Sequence, residues 1–152
     1  MKTKRSLILG FAFVVAAIQL SAKDYNASMF GAKSNGTTLN TTSIQKGIDY
    51  ISANGGGRLV FYVGRYLTGT IYLKSNVTIQ LEEGAILVGS TNPLDYDQNF
   101  NWTALIFALD QHNIGITGKG VIDGQASNEK WWWMNGNPDF GWKEGMNSQI
   151  TA

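Results

Sequence analysis

The chain has 152 residues, of which 43% are hydrophobic, so its length allows one domain with a sizeable core. It contains no cysteine, which excludes disulfides, zinc sites built on thiolates and cysteine nucleophiles. The formal net charge is +1, with no basic cluster after the first few residues, and this balance gives no support for nucleic-acid binding.

The first 22 residues have the order of a secretory signal peptide. Lys2, Lys4 and Arg5 precede an apolar run from Leu7 to Ile18, and the small residues Ser21-Ala22 follow it. The run is shorter than the roughly 20 apolar residues that a transmembrane span requires. We predict cleavage after Ala22, a secreted or periplasmic location, and a mature chain of residues 23–152 that no longer contacts the membrane.

Ser43 to Asn54 is predicted to be a short amphipathic helix that caps the exposed end of the core. Its apolar face consists of Ile44, Ile48 and Ile51. Thr42 and Gln45 have the spacing of a capping box, and Gly55 to Gly57 end the helix. A phosphate cradle needs its glycines before a helix rather than after one, so these glycines do not predict phosphate binding.

Four short strand-like runs lie between Gly55 and Ser90, separated by glycine, asparagine or short polar connectors. In the third run, Val77, Ile79 and Leu81 alternate with polar residues, which predicts one buried face. The connectors are too short for helical crossovers, and they lack the Asn-Gly or Asp-Gly pairs typical of two-residue hairpins. An antiparallel sandwich and a parallel β-helix both fit this pattern.

An internal repeat favours the β-helix. The run that begins at Asn76 recurs from Asn113, and the run from Gly84 to Gly89 recurs as Gly120 to Gly124. The two copies are separated by an insertion, residues 90–103, which a solenoid tolerates because each coil stacks on the previous one. We expect the two asparagines at equivalent corners in a left-handed conformation. Ala104 to Leu109 is predicted to resume as a buried strand.

Tryptophans dominate the segment after Gly124, where Trp131, Trp132 and Trp133 are consecutive. Such a cluster suits stacking on the apolar face of a sugar, and packing against the side of the β-helix is the plainer alternative. These three residues are the predicted substrate-binding candidates. The chain ends at Ala152 without a closing strand or cap, so we expect a β-helix that is incomplete at its C-terminus, the first part of a longer protein.

Other polar residues do not assemble a predicted site. Asp95 and Asp97 lack the full loop signature of a calcium site, and no metal site is predicted. His112 suits a surface turn, Asp123 suits the capping of backbone amides, and the adjacent side chains of Glu82-Glu83 diverge on an extended backbone. We therefore predict no acid–base pair among these residues.

Several stretches resemble one enzyme family. Gly64 to Thr78, Leu81 to Ser90, and Ile116 to Gln125 are similar to the N-terminal region of the pectin-degrading polygalacturonases, glycoside hydrolase family 28. Phe30 to Lys33 and Ile44 to Asp49 resemble a start that pectin-acting β-helices share more widely. The resemblance covers about residues 24–133.

This resemblance implies an all-β fold, a right-handed parallel β-helix, and hydrolysis of galacturonic-acid-containing polysaccharide with inversion. Such a reaction needs an acid and a carboxylate base roughly 6.5–9.5 Å apart. The family's catalytic motifs are Asn-Thr-Asp, Asp-Asp, Gly-His-Gly and Arg-Ile-Lys, and none occurs in this sequence. We expect them beyond Ala152, and no catalytic residue is assigned here. No cofactor is expected, and the full-length protein is expected to be a monomer.

Two other functions fit the same sequence. The first is a non-catalytic β-helix module that binds polysaccharide or presents a surface. The second is a pectate-lyase-like or tailspike-like relative, which calcium dependence or a catalytic arginine would distinguish. The sequence does not separate endo from exo action, or galacturonan from rhamnogalacturonan.

Overall fold

The computed structural model describes residues 23–97 and 104–126. The predicted signal peptide and the Trp131 to Trp133 cluster lie outside these residues. Ten strands and one α-helix follow along the described chain: β1 (Asp24–Asn26), β2 (Asn35–Leu39), α1 (Thr41–Ala53), β3 (Gly57–Phe61), β4 (Gly64–Thr68), β5 (Ile71–Tyr72), β6 (Val77–Leu81), β7 (Ala85–Gly89), β8 (Ile106–Phe107), β9 (Gly115–Gly118) and β10 (Val121–Asp123).

The strands form three sheets in which every hydrogen-bonded pair is parallel. One sheet has the order β1-β3-β6-β9, a second has the order β2-β4-β7-β10, and the third pairs β5 with β8. Neighbours in each sheet come from successive coils of the chain, so the strands wind as a solenoid. The predicted parallel β-helix is confirmed, and the antiparallel sandwich is excluded for the described residues.

Side chains from successive coils stack in columns inside the β-helix. Tyr25, Leu59, Ile79 and Ile116 are register partners across the first sheet. The first three are 4%, 0% and 0% exposed, whereas Ile116 is 41% exposed on the last strand of that sheet among the described residues. The alternation predicted for the run from Val77 to Leu81 is confirmed, because its odd-numbered residues point into the core.

The corners between coils carry the predicted left-handed asparagines. Asn76 and Asn113 have φ angles of 65° and 52°, a conformation that asparagine tolerates better than most residues. The Asn113 side-chain amide Nδ2 donates to Asn76 Oδ1 at 3.0 Å, which joins one corner to the next.

Helix α1 packs its isoleucines against the coils, as predicted, and Ile44, Ile48 and Ile51 are almost fully buried. The predicted capping box is wrong. The helix begins after Asn40, and the side chain of Asn40 makes no capping hydrogen bond. Asn40 instead accepts from Lys33 N at 2.8 Å and donates to Lys33 O at 3.0 Å, so its amide holds the preceding loop.

The strand predicted from Ala104 to Leu109 is shorter than expected. Only Ile106 and Phe107 pair, because β5, their hydrogen-bonded neighbour, is itself two residues long. Both are half-buried, and Leu109 is 60% exposed. Across the described residues, none of the helices has the length and apolar character needed to span a membrane.

Candidate functional site

Several carboxylates of the described residues lie on separate elements and are held by local partners. Asp24 pairs with Arg58, with Arg58 Nε 2.6 Å from Asp24 Oδ1, and Asp49 Oδ1 lies 2.8 Å from Lys74 Nζ. Asp123 accepts from Gln125 N at 2.9 Å, which confirms its predicted role in capping a backbone amide. These contacts explain the carboxylates as structural groups.

The two aspartates of the insertion accept hydrogen bonds from hydroxyl groups. Ser90 donates to Asp95, and Tyr72 donates to Asp97. Within residues 23–97 and 104–126, no group of three or more His, Cys, Asp or Glu side chains could hold a metal ion. The weak calcium signature therefore gains no support from the geometry.

His112 lies exposed in the turn before β9, as predicted. Its Nδ1 is 3.1 Å from Ser75 Oγ, which resembles the first contact of a nucleophilic pair. However, Ser75 Oγ also donates to Gln111 Oε1 at 2.9 Å and accepts from His112 N at 3.2 Å. The Ser75 hydroxyl thus joins two turns by hydrogen bonds, and we assign this arrangement a structural role.

A cleft lies between α1 and β5. Its volume is about 520 Å³, within the range of roughly 300–1,000 Å³ that small-molecule sites occupy. The helix contributes one wall and the second coil contributes the other; the lining residues are Thr41, Thr42, Gln45, Lys46, Asp49, Thr70 and Tyr72.

The side chain of Gln45 joins the two walls of this cleft. Its Oε1 accepts from Tyr72 N at 2.8 Å, and its Nε2 donates to Tyr72 O at 3.1 Å. These are the bonds that a neighbouring parallel strand would otherwise make to β5. The first coil has α1 at this position, so a single amide side chain replaces the missing strand.

Tyr72 is fixed on three sides. Its backbone is held by Gln45, its hydroxyl donates to Asp97, and its ring meets Phe107 edge-on with centroids 5.6 Å apart. The hydrogen bond to Asp97 and partial burial raise the pKa of Tyr72 to about 12. The contact with Asp97 therefore favours the protonated phenol.

Thr70 contacts a residue in the middle of the inserted segment and the residue that directly follows the segment. Its Oγ1 accepts from Asp97 N at 3.0 Å and donates to Ala104 O at 2.7 Å. One hydroxyl thus holds part of the insertion, and the point at which the chain rejoins the coil, beside the cleft.

The charges around the cleft are unevenly neutralised. Asp49 contacts both Lys74 and the Gln45 amide, which donates at 2.9 Å. Lys46 is exposed and makes no ion pair with any residue in the described ranges. The cleft therefore presents one ammonium group whose charge is not already matched by a described neighbour.

Sequence reasoning missed this cleft. It assigned Gln45 to a capping box and gave Tyr72 no role beyond a strand. The two residues are 27 positions apart in the sequence, and their contact depends on how the helix lies against the coil. No local sequence motif predicts such a contact.

Two curated relatives are named as enzymes that act on galacturonan. The chain is 39% identical over 121 residues to an exo-poly-alpha-D-galacturonosidase from Dickeya chrysanthemi, covering 68% of this chain and 20% of that protein. It is 34% identical over 89 residues to a polygalacturonase from Ralstonia solanacearum, covering 45% of this chain and 17% of that protein. The chain thus spans about a fifth of the length of these relatives. No family model matches it.

Solved structures with the same coils come from three bacteria. A Parabacteroides merdae protein proposed to be a glycosyl hydrolase is 61% identical with a TM-score of 0.65, over 68% of this chain and 45% of that one. A hyperthermoactive exopolygalacturonase from Thermotoga maritima is 38% identical with a TM-score of 0.69, over 82% of this chain and 30% of that one.

The third structure carries the family designation. It is a family 28 exopolygalacturonase from Yersinia enterocolitica, 40% identical with a TM-score of 0.61, over 68% of this chain and 21% of that one. The similarity therefore holds both for the sequence and for the stacked parallel coils described above. Over a part of their length, this chain therefore matches proteins of the polygalacturonase-like family of glycoside hydrolases.

Proposed function

We propose that this chain is the N-terminal part of an exported polygalacturonase-like hydrolase that cleaves pectic polysaccharide with inversion. The observation that carries the proposal is the match to the Thermotoga maritima exopolygalacturonase over 82% of this chain. Its β-helical coils serve as the scaffold on which later coils stack. The acid and base carboxylates are proposed to lie beyond Ala152.

Substrate contact within this chain is assigned to Trp131, Trp132 and Trp133, which lie outside the described residues. Aromatic rings suit the apolar face of a pyranose, and the family's polymeric substrate needs several such contacts. The protein acts as a monomer outside the cytoplasm, after the segment ending at Ala22 is removed. Mass spectrometry of exported protein is expected to give a chain that begins at Lys23, and an intact Met1 would contradict the cleavage.

An activity assay on the chain itself tests where the catalytic groups lie. The purified chain is incubated with polygalacturonate across a range of pH, and released reducing ends are measured. We expect no release, because the family's catalytic motifs do not occur in this sequence and the carboxylates that protonate the leaving oxygen and activate water are proposed to lie beyond it. Hydrolysis that disappears when the chain's own aspartates or glutamates are substituted would refute the assignment.

The same samples distinguish the two alternatives. Unsaturated products formed only with calcium would indicate a lyase. Tight pectin binding by this chain, with no hydrolysis even when it is joined to the later coils of a relative, would indicate a binding module.

A further inference from the structure

The cleft between α1 and β5 has a fixed aromatic wall. Tyr72 is held by Gln45, by Asp97 and by the edge-on contact with Phe107, so its ring needs no reordering to receive a ligand. Preorganised contacts of this kind bind more tightly because less conformational entropy is lost. Carbon atoms form most of the cleft lining, which matches the C–H face of a sugar ring.

One side of the cleft carries a positive charge. Asp49 is already paired with Lys74 at 2.8 Å, and Asp97 accepts from the Tyr72 hydroxyl. Lys46 has no ion-pair partner among the described residues, and the exposed Thr42 lies one helical turn before it. An ammonium beside a hydroxyl can donate two hydrogen bonds to one carboxylate, and such charge-assisted bonds are the stronger kind.

We propose that this cleft binds one uronic acid unit of an acidic polysaccharide, with its apolar face on Tyr72 and its carboxylate on Lys46. The ligand class rests on the proposed function, which supplies a galacturonate polymer. The site is built from the first and second coils and contains no group proposed to carry out hydrolysis. It therefore acts as a secondary contact that keeps the polymer on the enzyme.

Titration with a galacturonic acid trimer tests the proposal. The full chain is labelled with nitrogen-15, and amide shifts are followed with the trimer and with its methyl ester, which lacks the charge. We expect the acid trimer to shift the amides of Lys46 and Tyr72. Lys46→Gln is expected to weaken binding of the acid trimer about three- to fivefold, as for an exposed ion pair, and to leave the methyl ester unchanged.

Further variants distinguish the effect of the Lys46 charge from the effect of the Tyr72 ring and from a loss of folding. Lys119→Gln removes an exposed lysine from the turn between β9 and β10, away from α1, and is expected to change neither affinity. Tyr72→Phe keeps the ring and is expected to retain binding of both trimers. Tyr72→Leu removes the ring and is expected to weaken both, with the amide spectrum confirming that the coils remain folded.

Three results would overturn the proposal: no binding of the acid trimer, shifts confined to residues outside the cleft, or equal affinities for Lys46→Gln and the unaltered chain. None of these concerns hydrolysis, so the proposed function would stand if the cleft failed. Conversely, binding at the cleft would persist in a protein that hydrolyses nothing.

Discussion

Two asparagines set the corners of adjacent coils through their backbone angles. Asn76 and Asn113 are left-handed, and the amide of one donates to the amide of the other at 3.0 Å. The sequence predicted both corners because asparagine after a polar connector is typical of left-handed turns. It did not predict the hydrogen bond, which depends on the register of β6 against β9.

Replacement of Asn76 separates these two contributions. Asn76→Ala is expected to lower the free energy of unfolding by about 1–2 kcal/mol or more, because a left-handed φ is sterically unfavourable for alanine. Asn76→Gly loses the same side-chain bond and avoids that cost, so it should be the more stable of the two variants. Chemical denaturation measures both, and equal midpoints would contradict a role for the backbone angle.

The buried column predicts a contrast between neighbouring residues of β6. Ile79 is 0% exposed and stacks between Leu59 and Ile116, so Ile79→Ala is expected to cost about 2–5 kcal/mol of unfolding free energy. Thr78, half-buried on the opposite face, serves as the control, and Thr78→Ala should cost much less. Equal losses for the two variants would show that the assigned strand register is wrong.

Tyr96 predicts how stability changes at high pH. Its ring is 7% exposed, and burial, followed by the negative charge of Asp95, raises the pKa of its phenol to about 12. The unfolded chain ionises with an ordinary pKa near 10, so this contribution to stability is present below about pH 10. It is lost as the pH rises towards 12, because the unfolded state releases its proton first.

Denaturation between neutral pH and pH 11 checks this contribution. Stability is expected to fall above about pH 10. Tyr96→Phe should lower stability at neutral pH, because the 2.8 Å hydrogen bond from the Tyr96 hydroxyl to Ser90 O is lost. The same variant should lose less stability than the unaltered chain as the pH rises above about 10. An unchanged alkaline slope in Tyr96→Phe would contradict the assignment.

At the scale of elements, Gln45 takes the place of a strand. Its amide satisfies both backbone groups of Tyr72 at the edge of β5, where the first coil supplies a helix. Gln45→Leu would leave these groups without their partner, at a cost of about 1–3 kcal/mol for each group that water does not reach. A thermal or chemical melt measures the loss.

Thr42 provides the matched control on the same helix. A capping box would make Thr42→Ala cost about 1 kcal/mol, whereas the observed helix start at Asn40 leaves Thr42 exposed with no such role. Thr42→Ala is therefore expected to be nearly neutral. A large loss of stability for Thr42→Ala together with a small loss for Gln45→Leu would instead support the capping box.

The contrast between these elements shows which parts of the structure were readable from sequence. The alternation in β6, the isoleucine face of α1 and the recurrence of the Asn76 corner are local patterns, and each was predicted correctly. The docking of Gln45 on Tyr72, and of the insertion on Thr70, joins residues 27 or more apart. Hydrophobic periodicity carries no information about such pairings, so the cleft could not be anticipated.

At the scale of the whole molecule, the last coil among the described residues presents apolar side chains that are only partly covered. Ile116, Val121 and Ile122 are 41%, 53% and 43% exposed, although their register partners in the previous coil are more buried. Apolar side chains at the end of a solenoid are the contacts on which another coil stacks. This geometry suits the stacking of a further coil on the last described one.

A chimera tests that role most directly. The part of the Thermotoga maritima exopolygalacturonase that matches this chain is replaced by residues 23–126, and reducing-end release from polygalacturonate is measured. We expect the chimera to hydrolyse the polymer, because the replaced coils supply scaffold rather than the catalytic carboxylates, and Ile79→Ala in the chimera should lower its thermal stability. A folded, β-helical chimera without hydrolysis, alongside an active parent enzyme, would contradict the account.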